Sequence, residues 1–361
     1  MFGSVYGRGF APAAISDARK ALDAADIHAY YSLKPTVSGA QASASMSPFL
    51  VGQGTTVPTV TLEGPLSPPR EISIDYPVGG ARGTATYRIA LDGNTTVLTG
   101  ATSSAKVDIG SGNFITFGND ANYTINTVFA TATIHKSKIV NWTELTGQAN
   151  CTLTDTLSTK GHRYEAFGLN GRWPSLYMWT SALDNITGLP AKFTGIDIQF
   201  EVWMLYETWT QINDANAMVP WAFTNSSDAT KSVIDGVFTG PTHATQTRAI
   251  GINRKDSGAV PLTASLFTDT YRTDLAAHVH RFVVTNSGNI YTDNQKGKAA
   301  NASLNRGVAT NVDRFTLGGI KQGASAFLAS GWCSGRITEL LFTAPLSDDK
   351  AFRTACAMAA A

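Results

Sequence analysis

Charged side chains are scarce in this chain of 361 residues. Asp, Glu, Lys and Arg make up 15%, against about a quarter in ordinary globular domains. The formal net charge is only +1, which excludes the basic field that recruits nucleic acid or an anionic membrane surface. Cysteine is scarcer still. Cys151, Cys333 and Cys356 are far apart and odd in number, which excludes a disulfide framework and a CxxC metal site and leaves three reduced thiols as the plain reading. No apolar run reaches membrane-spanning length, and residues 1–28 lack the continuous apolar core of a signal peptide. The Gly-rich turn of GGARGTATYRIALDG has no Lys-Ser/Thr pair and opens no helix, so it is not a phosphate loop.

What the chain does contain is Thr, Ser, Asn and 33 glycines, with an apolar fraction of 43%. That is enough for a substantial core built from many short strands and turns. Period-two alternation marks the strands. Ala85, Tyr87, Ile89 and Leu91 share one face of a strand that ends at the turn Asp92-Gly93-Asn94. Ile196, Ile198, Phe200, Val202, Met204 and Tyr206 form an apolar face along FTGIDIQFEVWMLY. Its length and alternation predict a central antiparallel strand. Many strands at short spacing with almost no helix predict an all-β sandwich.

The last quarter is the most informative. AHVHRFVV reads as a strand closed by the turn Asn286-Ser287-Gly288-Asn289, followed by RFTLGGI and then GRITELLF. Pro345-Leu346-Ser347-Asp348-Asp349 offers a helix start with Ser347 as its N-cap. The LGG strand, Gly335-Arg336-Ile337-Thr338-Glu339 and Leu346-Ser347 resemble the C-terminal end of concanavalin A-like, laminin-G-like domains. The version with a helix directly after Leu346-Ser347 resembles those in tailed-bacteriophage virion proteins, and GGARGTATYRIALDG resembles a β-module of phage structural proteins. The resemblance implies a lectin-type jelly roll and a non-enzymatic role in a virion, as a decoration, fibre or tail-appendage component made in the host cytoplasm.

Four segments follow. Residues 1–25 read as an N-terminal docking arm, with Ala14–Ala25 as a short amphipathic helix. Residues 26–59 hold a first strand, Ile27 to Leu33, and a polar linker. Residues 60–130 form a small β-domain, beside the sandwich or inserted in it. Residues 131–361 form the concanavalin A-like β-sandwich, ending in a short helix.

Three constellations carry possible chemistry. Glucanases of the resembled fold place Glu, Asp and Glu on alternate residues of one strand, and a retaining mechanism needs two carboxylates about 5 Å apart. Here Gly195 and Gln199 flank Asp197, so glycoside hydrolysis is the weakest alternative and no catalytic residue is assigned. His278 and His280 stand two apart on one strand, but a zinc site needs further ligands, so they read as structural and no metal or other cofactor is expected. Trp203 shares the polar face of Asp197, Gln199 and Glu201. An aromatic face beside polar groups suits a sugar ring, apolar on its face and polar at its rim. Asp197, Gln199, Glu201 and Trp203 are therefore the candidate glycan-binding residues, in a carbohydrate-binding module for host adsorption. Phe2, Val5, Tyr6 and Phe10, set among glycines in the arm, are the candidate assembly contacts, toward a second copy or other virion proteins. Neither nucleic acid nor membrane is expected as a partner.

Overall fold

The computed structural model describes residues 17–39, 42–51, 58–64, 66, 69–123, 132–147, 152–155, 162–178, 183–185, 199–208, 217–227, 233–239, 250–255, 263–267, 277–284, 289–292, 295–296, 312–319, 321 and 335–360. Phe2, Val5, Tyr6, Phe10 and Asp197 lie outside them.

The architecture is an all-β sandwich of antiparallel sheets. At the centre of the front sheet runs Gly335–Thr343. One of its edges pairs along its length with Phe200–Thr208. The other is shared: Ile27–Ser32 takes Glu339 to Thr343, and Trp173–Met178 takes Gly335 to Ile337. Ala277–Val284 and Asn289–Thr292 extend the sheet beyond Phe200–Thr208, and Arg163–Leu169 extends it beyond Trp173–Met178. The back sheet runs Leu153–Asp155, Leu183–Asn185, Arg314–Leu317, Ala217–Thr224, Val233–Thr239, Ile250–Lys255, Thr263–Phe267.

The alternation read in the sequence sets what lies between the sheets. Phe200, Val202, Met204 and Tyr206 point inward and are fully buried or nearly so. Aromatic side chains stitch the two layers. Phe200 meets Phe223 at 5.0 Å between ring centroids, Trp221 meets Phe282 at 5.4 Å, and Phe315 meets Phe342 at 5.0 Å. Each pair contributes about 0.5–1.5 kcal/mol beyond its area burial. His278 and His280 also lie buried in the front sheet, opposite Tyr206 and Met204 on the neighbouring strand. Among the described residues no group of three or more His, Cys, Asp or Glu is placed to hold a metal.

Ala132–Trp142 joins all parts of the molecule. Ala42–Val51 pairs along its whole length. Its other edge is divided among Ile72–Val78, Arg163–Leu169 and Leu153–Asp155. The stretch expected as a polar linker within residues 26–59 is thus not all linker, because Ala42–Val51 forms a ten-residue strand. The 60–123 segment is an insertion between two strands that pair with each other. It holds a meander, Ile72–Val78, Thr86–Leu91 and Thr96–Ala101, and a three-stranded sheet of Val60–Glu63, Asn113–Phe117 and Val107–Gly110. Tyr76, Tyr87, Phe117 and Tyr123 pack between them. Their cluster is continuous with the sandwich core.

The C-terminal helix Asp348–Ala359 lies on the outer face of the front sheet. Ala351, Ala355 and Met358 face Tyr30, Trp203, Leu205, Val279 and Leu341, and the small alanines let the helix approach closely. Ser347 is the N-cap by backbone geometry, but its hydroxyl makes no capping bond. Asp348 and Asp349 supply the negative charge that favours a helix N-terminus. Of the helix expected over Ala14–Ala25, residues 14–16 lie outside the described residues, and from Asp17 onward it holds only over Ala18–Ala21, as a 3-10 turn capped by Asp17. Asp17 and Ala18 are buried, and Lys350 of the C-terminal helix bonds Asp23 and Asp26. Residues 17–26 therefore belong to the folded body, not to a free arm.

Candidate functional site

The outer face of the front sheet carries two sets of polar residues, one closed by the C-terminal helix and one open.

The closed set contains two of the four expected glycan-binding residues. Glu201 is 0% and Trp203 1% exposed. The Glu201 carboxylate accepts bonds from Trp203 Nε1 at 2.9 Å, from Arg281 Nε at 2.9 Å and a second Arg281 nitrogen at 2.6 Å, and from the Leu346 amide at 2.9 Å. Arg281 in turn lies 5.0 Å from the centre of the Trp203 ring. The expected open face is thus a sealed interior layer, with the indole used up in packing and hydrogen bonding. Gln199 alone of the described three is exposed. Glu201 and Trp203 share a face of the strand, but alternation could not show that the helix Asp348–Ala359 covers it.

Glu339, from the Gly335 to Glu339 motif, is also in the closed set. Lys34 stands 2.8 Å from it, both side chains 0% exposed. The Tyr30 hydroxyl donates to Glu339, and Ser32 Oγ does so at 3.2 Å. Lys34 also donates to the carbonyls of Met358 at 2.6 Å and Ala360 at 3.2 Å. It thereby satisfies carbonyls that a helix end leaves open. Burial raises the Glu339 carboxyl above its ordinary value, with Lys34, Tyr30 and Ser32 opposing.

The open set lies beside the helix, on strands whose register brings distant residues into one row. Lys138 stands opposite Arg163, Arg163 opposite Tyr177, Tyr177 opposite Arg336, and Arg336 opposite Glu207. Directly opposed residues share a face of the sheet. The Arg163 guanidinium lies 4.2 Å and that of Arg336 5.4 Å from the centre of the Tyr177 ring. Arg336 bridges two carboxylates, Glu165 at 2.6 Å and Glu207 at 2.8 Å. Burial works against its charge, but these carboxylates more than offset that and raise its pKa. The Tyr177 phenol is pushed up by burial, with the two arginines opposing.

At the end of this row a tight turn joins two strands. Asn170 and Gly171 adopt positive φ of 52° and 65°, and the Asn170 amide points to Glu207 Oε2 at 3.4 Å. Trp173 follows on the same face as Ser175 and Tyr177. Its indole is half-buried, with Lys34 5.2 Å and the exposed Arg172 5.4 Å from the ring centre. The result is a shallow band of one indole, three arginines and two carboxylates, the side chains of Arg163, Glu165 and Arg336 remaining 22%, 17% and 20% exposed. Its parts come from residues 163–177, 207 and 336. The alternation of each strand is visible in the sequence, but the register that aligns them is not.

No family model matches the chain, and no curated protein does. Solved structures do. A CBM40 carbohydrate-binding module of a Ruminococcus gnavus IT-sialidase is 14% identical, covering 44% of this chain and 83% of its own, with a TM-score of 0.34. Domain 4 of a GH43 extracellular arabinanase from Geobacillus stearothermophilus, in complex with arabinotriose, is 14% identical, covering 59% and 91%, with a TM-score of 0.41. An arabinofuranosidase in complex with arabinofuranosyl-alpha-1,2-xylobiose is 11% identical, covering 92% and 63%, with a TM-score of 0.45. The likenesses are partial, and the chemistry of this chain rests on its own residues.

Proposed function

We propose that the chain is a non-enzymatic, carbohydrate-binding β-sandwich whose ligand lies on the band of Trp173, Arg172, Arg336, Glu165 and Glu207. The observation that carries this reading is the half-buried Trp173 indole beside Arg172, on the same face as a guanidinium held by two carboxylates. A pyranose ring can take the place of Arg172 over the indole, and its hydroxyls meet fixed donors and acceptors at the rim. The binding-only assignment is supported by the commitment of the acidic groups. Glu201 and Glu339 are buried against Arg281 and Lys34, and Glu165 and Glu207 share Arg336. Among these four described carboxylates no pair is left with one acid and one base of the kind hydrolysis needs.

A glycan array with the purified chain tests the reading, followed by Trp173→Ala and Arg336→Gln. Binding that both substitutions abolish, with the fold intact by circular dichroism, is expected. A blank array with folded protein, or release of reducing ends from a polysaccharide, overturns it.

A narrower reading places this module in a tailed-phage virion. It is favoured by the helix that begins directly after Leu346-Ser347. Phe2, Val5, Tyr6 and Phe10 would then dock on a second copy or another virion protein. Cryo-electron microscopy of a parent particle decides it: density for this fold supports it, and a particle without it ends it.

A further inference from the structure

The strand Thr96–Ala101 ends the meander of the inserted segment, and among the described residues it pairs with Thr86–Leu91 alone. Thr96, Val97, Thr99 and Ala101 are exposed. The usual protections of a sheet edge are missing from it. TVLTGA has no charged residue and no Pro, and its pairing with Thr86–Leu91 runs without a bulge. The two edge strands of the three-stranded sheet do carry charge, Glu63 on one and Asp108 on the other. Hydrogen bonding fixes which backbone groups face the open edge. The Thr102 amide donates to the Ala85 carbonyl at 2.8 Å, and opposed pairs alternate between bonded and unbonded from there. Gly100, Leu98 and Thr96 therefore bond to Tyr87, Ile89 and Leu91. On the other flank of Thr86–Leu91 the Asp92 amide donates to the Glu71 carbonyl at 2.9 Å, in keeping with that phase. Val97, Thr99 and Ala101 turn their amides and carbonyls outward.

We propose that the chain associates with a second copy by pairing Thr96–Ala101 edge to edge, antiparallel and centred on Thr99. A two-fold axis through Thr99 brings the same surface to both copies. Thr99 then faces its own counterpart and Val97 faces Ala101, so each outward amide and carbonyl finds a mate, as in strand addition generally. A Thr–Thr cross-strand pair is favourable. On the other face the half-buried Leu98 comes opposite Gly100. A Cβ at Gly100 would stand 2.8 Å from the Tyr87 hydroxyl, so that position stays small, and Leu98 of one copy comes beside the Tyr87 ring of the other. Charge favours a like copy as the occupant. Any charge on this strand would be set close to its own like across the axis, which is destabilising, and the strand has none. On the adjoining strands Arg88 and Asp75 neutralise each other.

Sedimentation velocity of the full chain over about a hundredfold range of concentration tests this, because a homodimer grows with protomer concentration. A monomer–dimer equilibrium is expected. A six-residue strand pair falls below the roughly 1,200 Å² of a standard interface, so the dimer is reversible and appears toward the upper concentrations. Thr99→Lys and Thr99→Glu each set like charges face to face. Each variant alone is expected to lose the dimer, with the fold intact by circular dichroism. An equimolar mixture of the two sets Lys opposite Glu and is expected to dimerise again. A natural chain that stays monomeric throughout, a dimer that survives both substitutions, or a mixture that stays monomeric overturns the inference.

Discussion

Lys34 and Glu339 form an ion pair 2.8 Å apart with neither side chain reaching solvent, and the same ammonium closes the end of the C-terminal helix through Met358 and Ala360. One contact thus ties the N-terminal strand, the central strand and the last helix together. Lys34→Met leaves Glu339 buried without its cation and is expected to cost about 3–5 kcal/mol. Adding Glu339→Gln should recover much of that loss. Urea denaturation of both variants measures it, and two equal, additive losses would show that the pair is not coupled.

The same carboxyl makes stability depend on pH. Its folded pKa is raised above the ordinary 4.5 by burial. Between the ordinary and the raised value the folded state binds more protons than the unfolded one. Stability contributed by Glu339 is therefore present below 4.5 and falls as pH rises through this window. Urea midpoints of the natural chain, referred to those of Glu339→Gln, should decline with rising pH from 4.5 upward. A flat or rising difference contradicts the assignment.

Gly335 opens the motif for a steric reason. A Cβ there would stand 2.2 Å from the Tyr206 hydroxyl and 2.5 Å from the Glu207 carbonyl, and the backbone atom cannot step aside. Gly335→Ala should cost about 1–3 kcal/mol through overpacking, read as a lower melting temperature. Phe352→Ser, on the exposed face of the C-terminal helix, should stay within about 0.5 kcal/mol of the natural chain. A large loss at Phe352 would mean that this face is covered.

Truncation separates the folded base of the N-terminus from what precedes it. Removing residues 1–26 takes away Asp17, Ala18 and the Asp23 and Asp26 partners of Lys350. That deletion should melt several degrees below one that stops at residue 16. Equal melting temperatures would show that the 3-10 turn contributes nothing to the body.

How much of this was written in the sequence differs from residue to residue. The inward face of Phe200, Val202, Met204 and Tyr206 was legible, because alternation is a local property. So were the strands around Gly335 to Glu339 and the helix after Ser347. The role of Glu339 was not, since its partner Lys34 lies at the other end of the chain. Glu201 and Trp203 were read as an open polar face because a Glu beside a Trp resembles a sugar site. What buries them is a helix of small residues, and nothing near position 201 announces it. The row from Lys138 to Glu207 depends on cross-strand register set by bulges and distant pairings, so it emerges only when the strands are assembled.

The position of Gly335–Thr343 has a consequence for biosynthesis. This strand is the keystone of its sheet, yet it is translated after every strand it pairs with. Until it emerges, Ile27–Ser32 and Trp173–Met178 have no shared neighbour, and Phe200–Thr208 shows the ribosome's surroundings a bare, apolar edge. Nascent chains must wait in that state, exposed to pairing with one another. Assembly of this sheet therefore waits for one insertion that joins sequence-distant strands and is slow for that reason, and a chain broken off upstream of Gly335 leaves those edges open to aggregation.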